Sequence, residues 1–255
     1  MEWRETDPSA VIRPQCLAKY ESIRDAIWNQ LVWLNSSLFV LRKVTAFRFD
    51  LFLGMKQADF WFLVVKNFSA AAILAVTRLA TDKRSDCLTI GAFRDFTRQA
   101  LRPEFARELD GVLTQHCFEE HLKQVLGNIK RHRDKWLAHL DSKEALQGGI
   151  TANYGVSLSD IENVFADLKA LFDLLCFGHG HGTLPAEYDE AAYLPGVTGR
   201  PTDIEELLDE IARESPLLKA PEQRPDYWES RRAGMPQADI DEVNRRRTKL
   251  GLPPA

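Results

Sequence analysis

Six side chains that carry charge or move protons crowd into nine positions: Arg131, His132, Arg133, Asp134, Lys135 and His139. They end a long helical pattern whose apolar residues recur at Phe105, Leu109, Val112, Phe118, Leu122, Val125 and Ile129 and resume at Trp136 and Leu140, with one irregular step near Gln115. The turn between Ile129 and Trp136 is due another apolar residue and holds His132 and Arg133 instead. Arginine is rarely buried without a partner, so this position calls for an anion, an acid or a second subunit. A purely structural answer is an ion pair to Asp134, Asp141 or Asp82 that pins neighbouring helices. A second feature points to chemistry: Arg131, Lys135 and His139 stand four residues apart and form one stripe. A group that titrates near neutrality beside fixed positive charge suits proton transfer at a phosphate, whereas a lone helical histidine is commonly a packed core residue.

The pattern Arg133-Asp134-x4-His139 resembles the Arg-x(4–6)-His motif of the HEPN superfamily (higher eukaryotes and prokaryotes nucleotide-binding domains), in which a polar residue follows the arginine. The wider string HRDKWLAHLD is similar to the AbiU-type abortive-infection branch, and so is Thr77-Arg78-Leu79-Ala80-Thr81-Asp82, which closes an earlier helix. The resemblance covers residues 15 to 178. It implies an all-α, HEPN-like bundle of a handful of main helices, a two-fold homodimer whose paired motifs face each other across a cleft, and RNA as substrate. It also implies an antitoxin protein for some members, commonly a nucleotidyltransferase.

Such a motif cleaves RNA without a metal by directing a ribose 2′-OH onto the adjacent phosphate. His139 is the expected proton-transfer group. Arg133 is the expected phosphate ligand, since a planar fork of donors matches phosphoryl oxygens better than lysine does. Asp134 orients one of the two, while Arg131, Lys135 and His132 add substrate-binding charge. The expected activity is that of a metal-independent endoribonuclease, a toxin or abortive-infection effector in antiphage defence. The alternative is a non-catalytic module that binds RNA, a nucleotide or a partner protein. Geometry adds a constraint: six residues of α-helix turn through about 600°, which leaves Arg133 and His139 about 120° apart. They converge only if the helix is distorted or if each site draws on two chains. Arg131 shares a face with His139 while Arg133 fits the motif, so both stay open as the functional arginine.

Other clusters are less complete. His116, Cys117 and His121, with Glu119 and Glu120 between, have helical metal-ligand spacing but lack a second pair of ligands. His179 and His181 stand in a glycine-rich connector, and the run Arg245–Arg247 reads as a solvated helix face. No metal and no cofactor is expected. A net charge of −4 over 255 residues excludes coating nucleic acid by bulk positive charge, so any RNA contact is local. The four cysteines (Cys16, Cys87, Cys117 and Cys176) form no close pair and read as reduced thiols of a cytoplasmic protein. The apolar run 60–80 is interrupted by Lys66, Asn67 and Arg78, and reads as a central buried helix and not a membrane span.

The supporting elements follow from periodicity. Residues 1–14 read as irregular, and 15–178 as the bundle. Its long helices are expected over 15–44, 56–81 and 103–143, with shorter ones at 86–100 and 159–177, the last opened by a capping box of Ser159 and Glu162. The segment AFRFDLFLG reads as a helix end and a connection. Residues 179–255 read as a Pro-rich extension with short helices near 202–213 and 237–249. Nine of the twelve prolines lie there, which argues against a compact helical bundle.

Overall fold

The computed structural model describes residues 6–53, 55–81, 88–115, 125–131, 133–134, 156–178 and 203–255. These are helical throughout, apart from short connections and one isolated antiparallel bridge between Ile12 and Leu101, and the all-α class is met. The helices are α1 (Pro8–Val11), α2 (Pro14–Ala46), α3 (Phe49–Phe52), α4 (Met55–Thr81), α5 (Ile90–Ala100), α6 (Pro103–Gln115) and α7 (Leu158–Leu175). Four more follow: α8 (Asp203–Glu214), α9 (Pro216–Gln223), α10 (Pro225–Arg232) and α11 (Gln237–Lys249). Contacts divide the chain into two units that do not follow its linear order. One comprises Met1–Leu38 and Phe68–Tyr188, the other Phe39–Asn67 and Asp189–Ala255.

In the first unit the apolar face of α2 (Tyr20, Ile27, Leu31, Leu34 and Leu38) joins Ala72, Ile73, Val76 and Leu79 of α4 in one core with Phe93 of α5 and the inner face of α7. Phe172 is fully buried and meets Trp28 and Phe93 with ring centroids 6.0 Å away in each case. Truncating such a ring to alanine costs about 3–5 kcal/mol. The end of α7 is held by α2: the Tyr20 hydroxyl donates to the Leu175 carbonyl at 2.8 Å and accepts from the Phe177 N–H at 2.9 Å, while Arg24 Nη1 donates to the Phe177 carbonyl at 3.1 Å. These bonds satisfy backbone groups that a helix end leaves open. Burial, the largest cause, pushes the Tyr20 hydroxyl well above the usual tyrosine range.

Two local expectations for this unit are corrected. Residues 1–14 are not irregular throughout. Asp7 caps α1 by accepting from the Ser9 N–H at 2.7 Å, and Val11 and Ile12 are fully buried. Arg13 N–H donates to the Ala100 carbonyl and Arg102 N–H to the Val11 carbonyl, which pins this start beside the α5–α6 junction. Gly178 permits the approach of α1: it has φ +89°, and a Cβ there would lie 2.9 Å from Pro8 Cδ. The capping box of α7 is Ser157 with Asp160, two residues ahead of the Ser159–Glu162 pair. Both pairs have the right spacing, and the earlier one places the buried Ile161 inside a completed first turn.

Helix α4 departs furthest from expectation. Asp59–Ala80 is long and apolar enough to cross a membrane, yet only 28% of its most apolar window is buried. The second half, from Ala72 to Leu79, enters the core of the first unit, whereas Phe60, Phe62 and Leu63 are 61%, 67% and 54% exposed. It is not a central buried helix along its whole length.

In the second unit Phe47, Phe52, Leu208, Ala212, Leu217, Leu218, Ala220, Trp228 and Val243 form a core of their own. The segment AFRFDLFLG contributes the short α3, with Phe47 against Phe49 and Phe52 at 4.6 and 5.5 Å between centroids. The prolines do not prevent compaction here, because three of the six described ones stand where helices begin. Pro216 and Pro225 occupy first turns and Pro236 is an N-cap. Among the described residues only Pro221 lies inside a helix, the eight-residue α9.

The Arg245–Arg247 run is likewise no solvated face. Arg245 is exposed and pairs with Glu242, but Arg246 and Arg247 are buried. Arg246 donates to Asp209 at 2.7 Å and stacks 5.0 Å from the Phe47 ring centroid. Arg247, fully buried, donates to the carbonyls of Leu218 and Pro253 and to Glu222.

Candidate functional site

The motif stands on a helical segment that the core holds at one end. In residues 125–131 Ile129 is fully buried, Val125 and Leu126 pack at the edge of the first unit's core, and Lys130 and Arg131 face water. Ile129 therefore sets the rotation of the turn that follows. At Arg133 and Asp134 the backbone takes a wide π-helical turn with i→i+5 spacing. Turns of this kind interrupt a regular helix and recur at functional sites.

Arg133 is partly buried, its side chain 22% exposed. Its Nε and Nη2 donate to one oxygen of the neighbouring Asp134, Oδ1, at 2.7 and 2.5 Å. An ion pair between adjacent residues cannot pin a neighbouring helix. What it does is orient the guanidinium, using one edge of the fork and leaving Nη1 unbonded to Asp134. With Asp134 43% exposed the pair is solvated, and its contribution to stability is at most about 1 kcal/mol. Among the described residues Asp134 is the partner of Arg133, so the arrangement holds a planar donor group beside water with one edge of the fork left over, which is what an incoming phosphate or carboxylate requires.

The other predicted residues fall as follows. Arg131 is on the helix and exposed. His132, Lys135 and His139 lie outside the described residues, as do Asp82, Asp141, His116, Cys117, Glu119, Glu120, His121, His179 and His181. The structure thus places Arg133 beside Asp134. In the Thr77–Asp82 stretch, Thr77 is buried and its hydroxyl donates to the carbonyls of Ile73 and Leu74, Leu79 is buried, and Arg78 is exposed. Among the described residues no group of three or more His, Cys, Asp and Glu is placed to hold a metal ion.

Two features escaped the sequence reading. The acids that bury Arg246 and Arg247 come from α8 and α9, far along the chain, and only the buried apolar positions around Leu208 and Leu218 hint at a core that needs them. The exposed face of α4 carries a signal that was available, namely apolar residues over more than one side of a helix next to Lys66 and Asn67.

The comparisons with known proteins bear on the whole bundle. No curated protein and no solved structure matches the chain significantly. A protein-family model described as AbiU2, of HEPN type, matches residues 17–193, a span that contains the Arg133–His139 motif, all but the first turn of α2, and α3 through α7. More than half of the sequence is covered by that match, and the chain belongs to the abortive-infection-associated AbiU2 family of HEPN domains.

Proposed function

We propose that the chain is a metal-independent endoribonuclease acting as an abortive-infection effector or toxin, with Arg133 of one subunit and His139 of a second subunit serving one site. The observation that carries the reading is the Arg133–Asp134 pair in a wide turn, where the guanidinium is aimed but keeps donors to spare. Family membership supports the biological role.

The chemistry asks little else of the protein. His139 takes the proton from a ribose 2′-OH, and the 2′ oxygen attacks the adjacent phosphorus. Arg133 donates to the non-bridging oxygens as their charge grows. The P–O5′ bond then breaks and a proton is delivered to O5′, giving a 2′,3′-cyclic phosphate and a 5′-hydroxyl. Arg131, Lys135 and His132 hold flanking phosphates.

Two chains reconcile the motif's spacing. On a regular helix Arg133 and His139 lie about 120° apart whereas Arg131 and His139 share a face, so Arg133 serves the histidine of the other chain across a two-fold axis and Arg131 assists His139 of its own chain.

The test is cleavage of end-labelled total RNA in excess EDTA by wild type beside His139→Ala. Cutting by wild type alone, with cyclic phosphate ends on the products, is the expected result. A gel shift without cutting by either protein would replace this reading with an RNA-binding module. Equal cutting by both would make His139 a packing residue.

A further inference from the structure

We infer that Arg13 and Arg102 form an anion site that takes a doubly charged phosphate, either the free ion or the end of a small phosphate monoester. The two arginines are separate from the Arg133 motif, and the inference does not rest on the ribonuclease reading.

Helices α2 and α6 open in the same way. Arg13 stands before Pro14 and Arg102 before Pro103, the first residues of the two helices. The arginine carbonyls accept the Cys16 and Phe105 N–H groups at 2.8 and 3.1 Å. That place usually holds Ser, Thr, Asp or Asn, whose side-chain oxygen caps the helix, and a cation there opposes the positive end of the helix dipole. The two starts are also tied together. Around the bridge between Ile12 and Leu101, the Arg13 N–H donates to the Ala100 carbonyl and the Arg102 N–H to the Val11 carbonyl, at 2.8 and 2.9 Å. In an antiparallel pair the residues next to a bridge leave on the face opposite the bridged ones. Arg13 and Arg102 are therefore diagonal neighbours on one face, about 7–8 Å apart and within reach of each other's long side chains.

Neither guanidinium is satisfied. Both arginines are partly buried, and the Nε of each is cut off from water without a hydrogen-bond partner. Arg102 spends one Nη2 bond on the Ser9 carbonyl at 2.8 Å, whereas the Arg13 side chain has no partner among the described residues. Asp7 is committed to the Ser9 N–H as the cap of α1, and Glu104, in the first turn of α6, is exposed and pairs with neither arginine. Elsewhere in this unit Arg24, Arg94 and Arg98 each meet a carboxylate, on Asp25, Asp95 and Asp110. Two like charges tied together over orphaned donors are unfavourable on both counts, and an anion relieves both. A phosphate dianion balances two guanidinium groups, and its three free oxygens accept from a fork on either side. A carboxylate brings half the charge and one oxygen fewer.

The experiment is thermal unfolding of the full chain at about pH 8, in chloride and in about 20 mM inorganic phosphate at equal ionic strength, with calorimetric titration of inorganic phosphate, AMP and adenosine. Arg13→Gln is the main variant, since its side chain holds nothing in the fold and its N–H bond to Ala100 survives. Wild type is expected to bind phosphate with Kd below about 1 mM and to gain at least about 3 °C from it. Arg13→Gln is expected to bind at least about tenfold more weakly, yet to unfold no earlier than wild type in chloride, because it relieves the repulsion. Arg133→Ala, and Arg213→Gln as a charge loss in the other unit, are expected to bind as wild type does. Binding of AMP with adenosine silent extends the site to monoesters, and binding of inorganic phosphate alone restricts it to the free ion. A wild type indifferent to phosphate overturns the inference. So does an Arg13→Gln protein that unfolds earlier by the same margin in both salts, which makes Arg13 a structural residue. A phosphate effect that Arg133→Ala abolishes and Arg13→Gln spares overturns it too, and moves the anion to the motif.

Discussion

Two arginine-rich turns of this chain look alike in sequence and do opposite things. RHR at 131–133 and RRR at 245–247 both fall late in helical sequence patterns. Arg247 is fully buried, and its Nε, Nη1 and Nη2 all donate to groups of its own unit, two of them backbone carbonyls. Arg246 beside it is committed to Asp209 and stacked on Phe47. Arg133 spends its donors on a single carboxylate oxygen one residue away and remains in contact with water. The destination of the N–H groups separates an arginine that builds the fold from one that is held at the surface by its neighbour. Local charge density does not.

That contrast can be attacked from both sides. Arg247→Ala leaves the buried Leu218 carbonyl without its donor and empties a closed place, while Glu222, 46% exposed, returns to water; an orphaned buried acceptor costs about 1–3 kcal/mol. A fall of that size in urea-unfolding free energy, followed by circular dichroism, is expected. A loss under about 1 kcal/mol would put Arg247 on the same footing as a surface arginine. Arg133→Ala is expected to do the reverse: a 10²–10³-fold drop in RNA cleavage, equivalent to about 3–4 kcal/mol at the transition state, with stability changed by less than about 1 kcal/mol. It should impair cleavage more than Arg131→Ala, and equal or reversed losses would transfer the phosphate role to Arg131. Asp134→Asn keeps the shape but weakens the hold on the guanidinium, and a loss on the order of tenfold, about 1.4 kcal/mol, is expected in cleavage assays.

The smallest effect belongs to the cap of α7. Hydrogen bonds from Ser157, its side chain first, hold the Asp160 carboxyl below the usual carboxylate range. Because the folded value lies below the unfolded one, this stabilisation is fully present above about pH 4 and is lost as pH falls through the folded value. Ser157→Ala should cost about 1 kcal/mol at neutral pH, and the gap to wild type should close in acid. A gap that is unchanged at low pH would show that the cap does not act through Asp160.

Much of the fold was legible because it rests on periodicity. The stripe from Tyr20 to Leu41 predicts α2, and Gln237–Lys249 lies where its pattern puts it. The failures come from information that periodicity does not hold. Two Ser-x-x-acid boxes overlapped at 157–162, and only the packing of Ile161 and Val164 selects one. Prolines in the last quarter were read as breakers, yet a proline at a first turn starts a helix as readily as it ends one, as at Pro216 and Pro225. For α4 the apolar content was plain, but how much of it is covered depends on neighbours that a helical pattern does not name. At the site, the motif located Arg133 and Asp134, whereas their mutual bonding and the wide turn beneath them depend on backbone geometry.

The central claim is that Arg133 and His139 act in one site drawn from two chains. Arg133→Ala and His139→Ala, each inactive alone, are mixed in equal amounts, exchanged under conditions that let dimers re-form, and assayed on labelled RNA. In a mixed dimer one site loses both residues and the other keeps both. Half of the dimers are mixed, so the account predicts recovery of about one quarter of wild-type cleavage. A mixture that stays as inactive as its parts, although mixed dimers are shown to form, would contradict it.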